Sequence, residues 1–357
     1  MRRKQRSAVL EPEWAAARIA VFLGAMVCLA TALKTADAQE HAGHAHHPMA
    51  PQQGAKIEVQ DNAAQDKRSG TFVVRLGPLH LPAKTDHGAM PQAPDLFWSV
   101  PLDGWLVSYA PRLVDDRGQA LPNHLLHHVG FWNESRSDFL CPNKEEHIFG
   151  AGGEMNQWPE LPGYGYEVKR GERIRIGTMF HNPTETGYPA AWLEIRVGYK
   201  PAVGDAAPTA GSTSAALHSV FPVWLDVQQC GDSSYDLNEG PNLRSAEFVF
   251  KQTGILLGLG GHLHDYGRMV EVMSEKRDLM VARLEAQLDP AGHILGMPTV
   301  IFLAQGGYKI ASGERFRVTA MYQNTSGHAL PDGAMGIAVG YFLPDDGSAM
   351  AAFARKK

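Results

Sequence analysis

Two histidines spaced two apart, His262 and His264, lie in the run Gly260-Gly261-His262-Leu263-His264-Asp265-Tyr266-Gly267, between apolar Ile255–Leu259 and Met269-Val270-Glu271-Val272. Read as an extended strand, the run turns both imidazoles to one face. That is two-thirds of a three-coordinate metal site, and imidazole suits Cu, Zn, Fe or Ni. The flanking glycines imply close backbone approach or a bulge. The third donor is expected to be Met335, in Leu330-Pro331-Asp332-Gly333-Ala334-Met335-Gly336. Its thioether is a soft ligand that favours copper, above all Cu(I). Met321 and Met269 compete on the same grounds, and a strand methionine is commonly core filler.

A second set of donors precedes these. In Leu125-Leu126-His127-His128-Val129-Gly130 the adjacent histidines point to opposite faces of a strand, so one metal can take both only at a twist or bulge. His124 could replace one of them. His181, in Met179-Phe180-His181-Asn182-Pro183, is expected to complete the set. Three imidazoles without thiolate suit a redox-active copper better than a structural zinc. The plain alternatives are hydrogen-bonded core histidines and a surface pair beside a loop.

The elements that must position these groups read as β. Thr71–Leu76, Trp105–Tyr109 and Leu125–Trp132 are short apolar runs set off by Gly, Pro, Asn and Asp, and no long 3.6-residue periodicity is present. Such a pattern indicates sandwiches or barrels. The chain also repeats itself. Gly165-Tyr166-Glu167-Val168-Lys169-Arg170-Gly171-Glu172-Arg173-Ile174-Arg175-Ile176 is echoed 142 residues later by Gly307-Tyr308-Lys309-Ile310-Ala311-Ser312-Gly313-Glu314-Arg315-Phe316-Arg317-Val318. The offset holds from Met179/Met321 and Asn182/Asn324 to Val197-Gly198-Tyr199 against Val339-Gly340-Tyr341. Two like-folded β domains follow, at 67–232 and 233–350, with the Ala/Gly/Pro/Ser/Thr-rich stretch 201–219 as a loop or linker near their junction. The copies differ where His181 faces Gln323 and Leu193 faces Met335, which implies two different sites on one scaffold.

With 357 residues, about two domains are expected. The net charge of −5 and the lack of a basic patch with interleaved aromatics argue against nucleic acid. Residues 1–38 read as a secretory signal: Arg2-Arg3-Lys4-Gln5-Arg6, an apolar run Ile19–Leu33, then Ala36-Asp37-Ala38 as a small-x-small cleavage site. The run is short for a membrane span, and no transmembrane partner is implied. Export to the periplasm or beyond is expected. His41, His44, His46 and His47 open a segment, 39–66, read as a flexible leader whose imidazoles could capture copper or zinc. Of three cysteines, Cys28 falls in the signal; Cys141 and Cys230 form a disulfide or remain two buried thiols.

The order His-His, His, His-x-His, Met resembles the copper type II, ascorbate-dependent monooxygenases, whose best-known members are peptidylglycine α-hydroxylating monooxygenase and dopamine β-monooxygenase. The resemblance runs from about Leu125 to Tyr341. It includes Leu161-Pro162-Gly163 with Gly165-Tyr166 ahead of the third histidine, and Gly267 after the His-x-His pair. It implies an all-β protein of two tandem jelly-roll-type β-sandwich domains holding two coppers per chain. His127, His128 and His181 would hold the electron-storing copper. His262, His264 and Met335 would hold the copper where dioxygen binds and a substrate C–H bond is hydroxylated, with ascorbate or a similar reductant. The chain departs from the peptide-amidating members at Gly260, where they have Arg, and at Ile337 and Val339, where they have Asn and Tyr. Most of the family's cysteines are absent as well. Peptide amidation is therefore not implied, and the substrate, small-molecule or peptide-like, stays open. Two other readings compete: a copper-binding or copper-handling protein without turnover, and a β-sandwich binding or structural module with vestigial histidines.

Overall fold

The structure is a computed structural model, and it describes residues 52, 54–60, 70–86, 88–101, 103–202, 217–348 and 353. The signal-like segment and the histidines at 41–47 lie outside these. The described residues fall within one compact unit, Gly43–Lys357. They are all-β, with two short 3-10 turns and no α-helix among them. The first ten strands are β1 (Lys56–Gln60), β2 (Gly70–Leu81), β3 (Leu96–Ser99), β4 (Gly104–Val114), β5 (Leu126–Ser137), β6 (Glu145–Gly152), β7 (Tyr164–Val168), β8 (Arg173–Phe180), β9 (Tyr188–Pro201) and β10 (His218–Ser219). The next seven are β11 (Phe221–Asp226), β12 (Tyr235–Leu237), β13 (Gly240–Phe250), β14 (Gly254–Leu263), β15 (Gly267–Ser274), β16 (Leu279–Glu285) and β17 (Gln287–Leu288). The last six are β18 (Ile294–Gly296), β19 (Thr299–Ile301), β20 (Tyr308–Ile310), β21 (Glu314–Asn324), β22 (Leu330–Ala334) and β23 (Gly336–Pro344).

Period-2 alternation explains the long strands. In β21, Phe316, Val318, Ala320 and Tyr322 are buried while Arg315 and Arg317 are exposed. The first half builds one sheet in the order β1-β2-β9-β4-β7-β10 and a second in the order β3-β8-β5-β6. In the second half, β11-β23-β14 carries both β19 and β20 along the far side of β14, and the other sheet runs β13-β21-β15-β16. Matching β2, β9, β4 and β7 to β11, β23, β14 and β20, and β3-β8-β5-β6 to β13-β21-β15-β16, gives the same strand order twice. The repeated sequences occupy β7–β9 and β20–β23, equivalent places in that order.

One expectation is corrected at the leader. Lys56–Gln60, read as part of a flexible segment, pairs antiparallel with β2. Its alternation, Lys-Ile-Glu-Val-Gln, is the strand signal that the surrounding polar residues obscured. At the other end of the first half, β10 falls within the expected linker and pairs in parallel with β7.

The two halves interlock. Leu257 and Tyr341 of the second half pack into the core built around Tyr109, Phe131, Tyr166 and Ile195. Phe139 and Cys141 of the first half pack into the core of Phe250, Phe316 and Phe342. The Tyr341 hydroxyl donates to the Ile148 carbonyl at 2.8 Å, and the His147 ring stacks on Trp224 with centroids 3.5 Å apart. Cys141 and Cys230 are joined as a disulfide spanning 89 residues. Closing a loop of that length restricts the unfolded chain by about 4.5 kcal/mol. The Cys141→Ser/Cys230→Ser double variant is therefore expected to lose roughly that much stability in denaturant titration. An unchanged midpoint would show that the crosslink adds nothing.

Candidate metal centre

His127 and His128 are the second and third residues of β5, which starts directly after the 3-10 turn Asn123–Leu125. The register of β5 against β8 slips between Leu126 and His128, the irregularity that neighbouring ligands require. Their ring centroids lie 5.4 Å apart. His264 follows the last residue of β14, and its ring is 4.1 Å from that of His127. The ligand nitrogens of His127, His128 and His264 all lie within 4.8 Å of one another. His181, the residue after β8, brings a fourth ring to 5.3 Å from His127. Residues expected in two separate triads thus converge on one place.

His262 and Met335 stand one step back. The His262 ring lies 5.4 Å from His264 and nearly perpendicular to it. Its Nδ1 is 2.9 Å from Glu154 Oε1, with both side chains buried. Burial works against the charged imidazole, but the Glu154 carboxylate outweighs it and holds His262 above its ordinary value. Met335 is buried between β22 and β23. The β14–β23 ladder ends at Leu263 opposite Gly336, so one further step places Met335 opposite His264. The competing methionines do not share this position. Met269 and Met321 are register partners on β15 and β21, and alternation turns Met321 to the opposite face from buried Tyr322. His124 is outside the group of three but lines the same cleft, its ring 6.0 Å from that of His293.

Three residues that the sequence reading passed over organise the site. Glu154 accepts hydrogen bonds from the Gly152 N–H at 2.8 Å and from Asn156 Nδ2 at 3.2 Å, and Asn156 Nδ2 also bonds the Gly261 carbonyl. The turn after β6 therefore grips the His-x-His strand. A Cβ at Gly152 would lie 2.7 Å from the His127 carbonyl, from a ring carbon of His262 and from Glu154 Oε2. Only a glycine permits that approach, and the paired Gly152-Gly153 ahead of an acidic residue was the available signal. The third is Tyr322, whose hydroxyl bonds the backbone of both His264 and Met335. A cleft of about 270 Å³ opens beside His127, His181 and His264, with Asp86, Asp265 and Tyr266 on its walls.

The grouped donors are all imidazole, without thiolate, a set that suits copper, zinc, iron or nickel. His262, beside the group, is oriented by a carboxylate, as ligating histidines commonly are. Glu154→Gln removes the charge that holds the His262 tautomer and orientation. The affinity of the cluster for an added divalent metal such as Cu(II) is expected to fall about 10-fold or more, read by competition with a chelator. Unchanged affinity would remove Glu154 from the site.

No protein-family model matches the chain, and no curated protein matches it. Among solved structures, it is similar to PNGF-II at 7% identity and a TM-score of 0.30, covering 80% of this chain and 66% of that one. It also matches the coconut allergen cocosin at 7% identity and a TM-score of 0.13, covering 80% of each chain. Likeness at that level carries no argument about fold or function.

Proposed function

We propose that the protein is a copper-dependent oxidoreductase of the monooxygenase type, with one metal centre shared between its two halves. The observation that carries this reading is the convergence of His127 and His128 from β5 with His264 from the end of β14, their ligand nitrogens within 4.8 Å of one another. Those three residues would hold the metal, with His181 and His262 as adjoining imidazoles. This differs from the two separated triads that the resemblance implies, and it favours one tightly held copper over two. Copper bound there would supply one-electron redox chemistry toward dioxygen and an organic C–H bond, with ascorbate or a similar reductant. Glu154 fixes the orientation of His262, Tyr322 fixes the backbone of His264, and the apolar Leu126, Leu263 and Ile294 line part of the cleft. We read the two halves as duplicated jelly-roll-type sandwich domains. Export to an oxidising compartment is supported by the Cys141–Cys230 disulfide. Among the described residues no helix is long and apolar enough to cross a membrane.

A second reading, copper binding without turnover, draws on the substrate positions. Ile337 is buried, and Gly260 and Val339 line a small cavity of about 30 Å³ beside Trp224, with no charged group to receive a carboxylate. The test is to incubate copper-loaded protein with ascorbate, isotopically labelled dioxygen and a panel of small organic compounds and peptides. A product carrying one labelled oxygen is expected. Bound copper with no labelled product from any compound would favour the carrier.

A further inference from the structure

We infer that Tyr322 is the positioning residue of the second-half side of this centre, its hydroxyl fixing the backbone that aims His264 at His127. The inference rests on the copper reading of the cluster and adds to it a residue that binds no metal. Tyr322 is 3% exposed. Its hydroxyl accepts from the His264 N–H at 2.9 Å and from the Met335 N–H at 3.1 Å, and it donates to the Met335 carbonyl. A phenol has one proton and two lone pairs, so these three bonds use its full capacity.

The location gives the bonds their consequence. The ladder between β14 and β23 stops at Leu263 and Gly336, so His264 and Met335 face each other just past the last rung. Buried backbone groups there need partners, and the Tyr322 hydroxyl supplies them from a third strand, β21, in the opposing sheet. It substitutes for a rung at the point where the chain must leave the strand and still hold an imidazole in place.

The repeat isolates the hydroxyl as the difference between the halves. The residue 142 positions earlier is Phe180, which has the ring but no oxygen. There the counterpart of Met335, Leu193, still lies inside the β4–β9 ladder, opposite Leu113, and needs no hydroxyl in place of a rung. The hydroxyl is thus not required by the scaffold. It occurs where His264 leaves β14 one step past the last rung of the β14–β23 ladder.

The test compares full-length wild type, Tyr322→Phe and His264→Ala after loading with Cu(II). Affinity is read by chelator competition, and the ligand field by electron paramagnetic resonance with the count of coupled nitrogens. Tyr322→Phe is expected to weaken copper by about 10- to 100-fold, the range for partners that orient a ligand. Its spectrum should move toward that of His264→Ala, with His127 and His128 still coupled. Wild-type affinity and spectrum in Tyr322→Phe, beside loss in His264→Ala, would overturn the positioning role and leave the copper reading standing. A wild-type chain that holds no copper would overturn both. Hydrogen exchange in metal-free wild type gives a readout that does not depend on the variant folding. The His264 and Met335 amides should be protected as well as the ladder amides of β14, and exchange at open-loop rates would overturn the inference.

Discussion

His264→Ala and His127→Ala are each expected to abolish the same bound copper. The two residues come from opposite halves of the chain, 137 positions apart, yet their rings are 4.1 Å from one another and their nitrogens fall in one group with His128. Removing one of three imidazoles should weaken the metal by roughly 3–4 kcal/mol, about a third or a little more of the smallest total binding energies of structural zinc sites. That is about a hundred- to a thousandfold in Kd. If the halves instead held separate metals, His264→Ala would leave a copper bound by His127 and His128 untouched. The comparison needs only copper per chain, measured at equal free metal. His181→Ala provides the contrast: its ring borders His127 but lies outside the group of three, so a smaller loss is expected.

Gly152→Val should be the most damaging single change that removes no candidate ligand. Gly152 pairs with His128 across β5 and β6, and any Cβ there meets a backbone carbonyl, an imidazole and a carboxylate at 2.7 Å. The side-chain neighbours could move, but the His127 carbonyl belongs to the adjacent strand and cannot yield without disturbing the ligands on it. Overpacking of this kind costs about 1–3 kcal/mol, and here the strain falls on His127 and His262 together. The variant is expected to show both a lowered denaturation midpoint and copper loss comparable to His127→Ala. A folded Gly152→Val protein with full copper affinity would mean that the turn after β6 does not shape the centre.

The strand content was legible because period-2 alternation and Gly/Pro punctuation are local signals, and the duplicated order of sheets was foreshadowed by the 142-residue offset. The histidines stood out as candidate donors by type and spacing. Even the bulge at His127 was deducible, since adjacent residues on a regular strand cannot share a ligand. Their grouping was not. Whether His264 joins His127 or His262 depends on how the two halves of the chain pack together, through contacts such as Tyr341 in the first-half core and Glu154 against His262. Neither is encoded by spacing along the chain. Met335 shows the same limit: the sequence marks it as soft and well placed, while the structure sets it opposite His264 with its backbone held by Tyr322. The strand at Lys56–Gln60 was hidden for a simpler reason, since five alternating residues are too few to stand out within a polar stretch.

The measurement that tests the shared centre most directly is a copper titration of the chain with His41, His44, His46 and His47 replaced by alanine, so that these four imidazoles cannot contribute. Replacement keeps β1, which truncation into the leader would endanger. The account predicts one tightly held copper per chain, coupled to three imidazole nitrogens and lost in His264→Ala. Two tightly held coppers, of which His264→Ala removes only one, would contradict it.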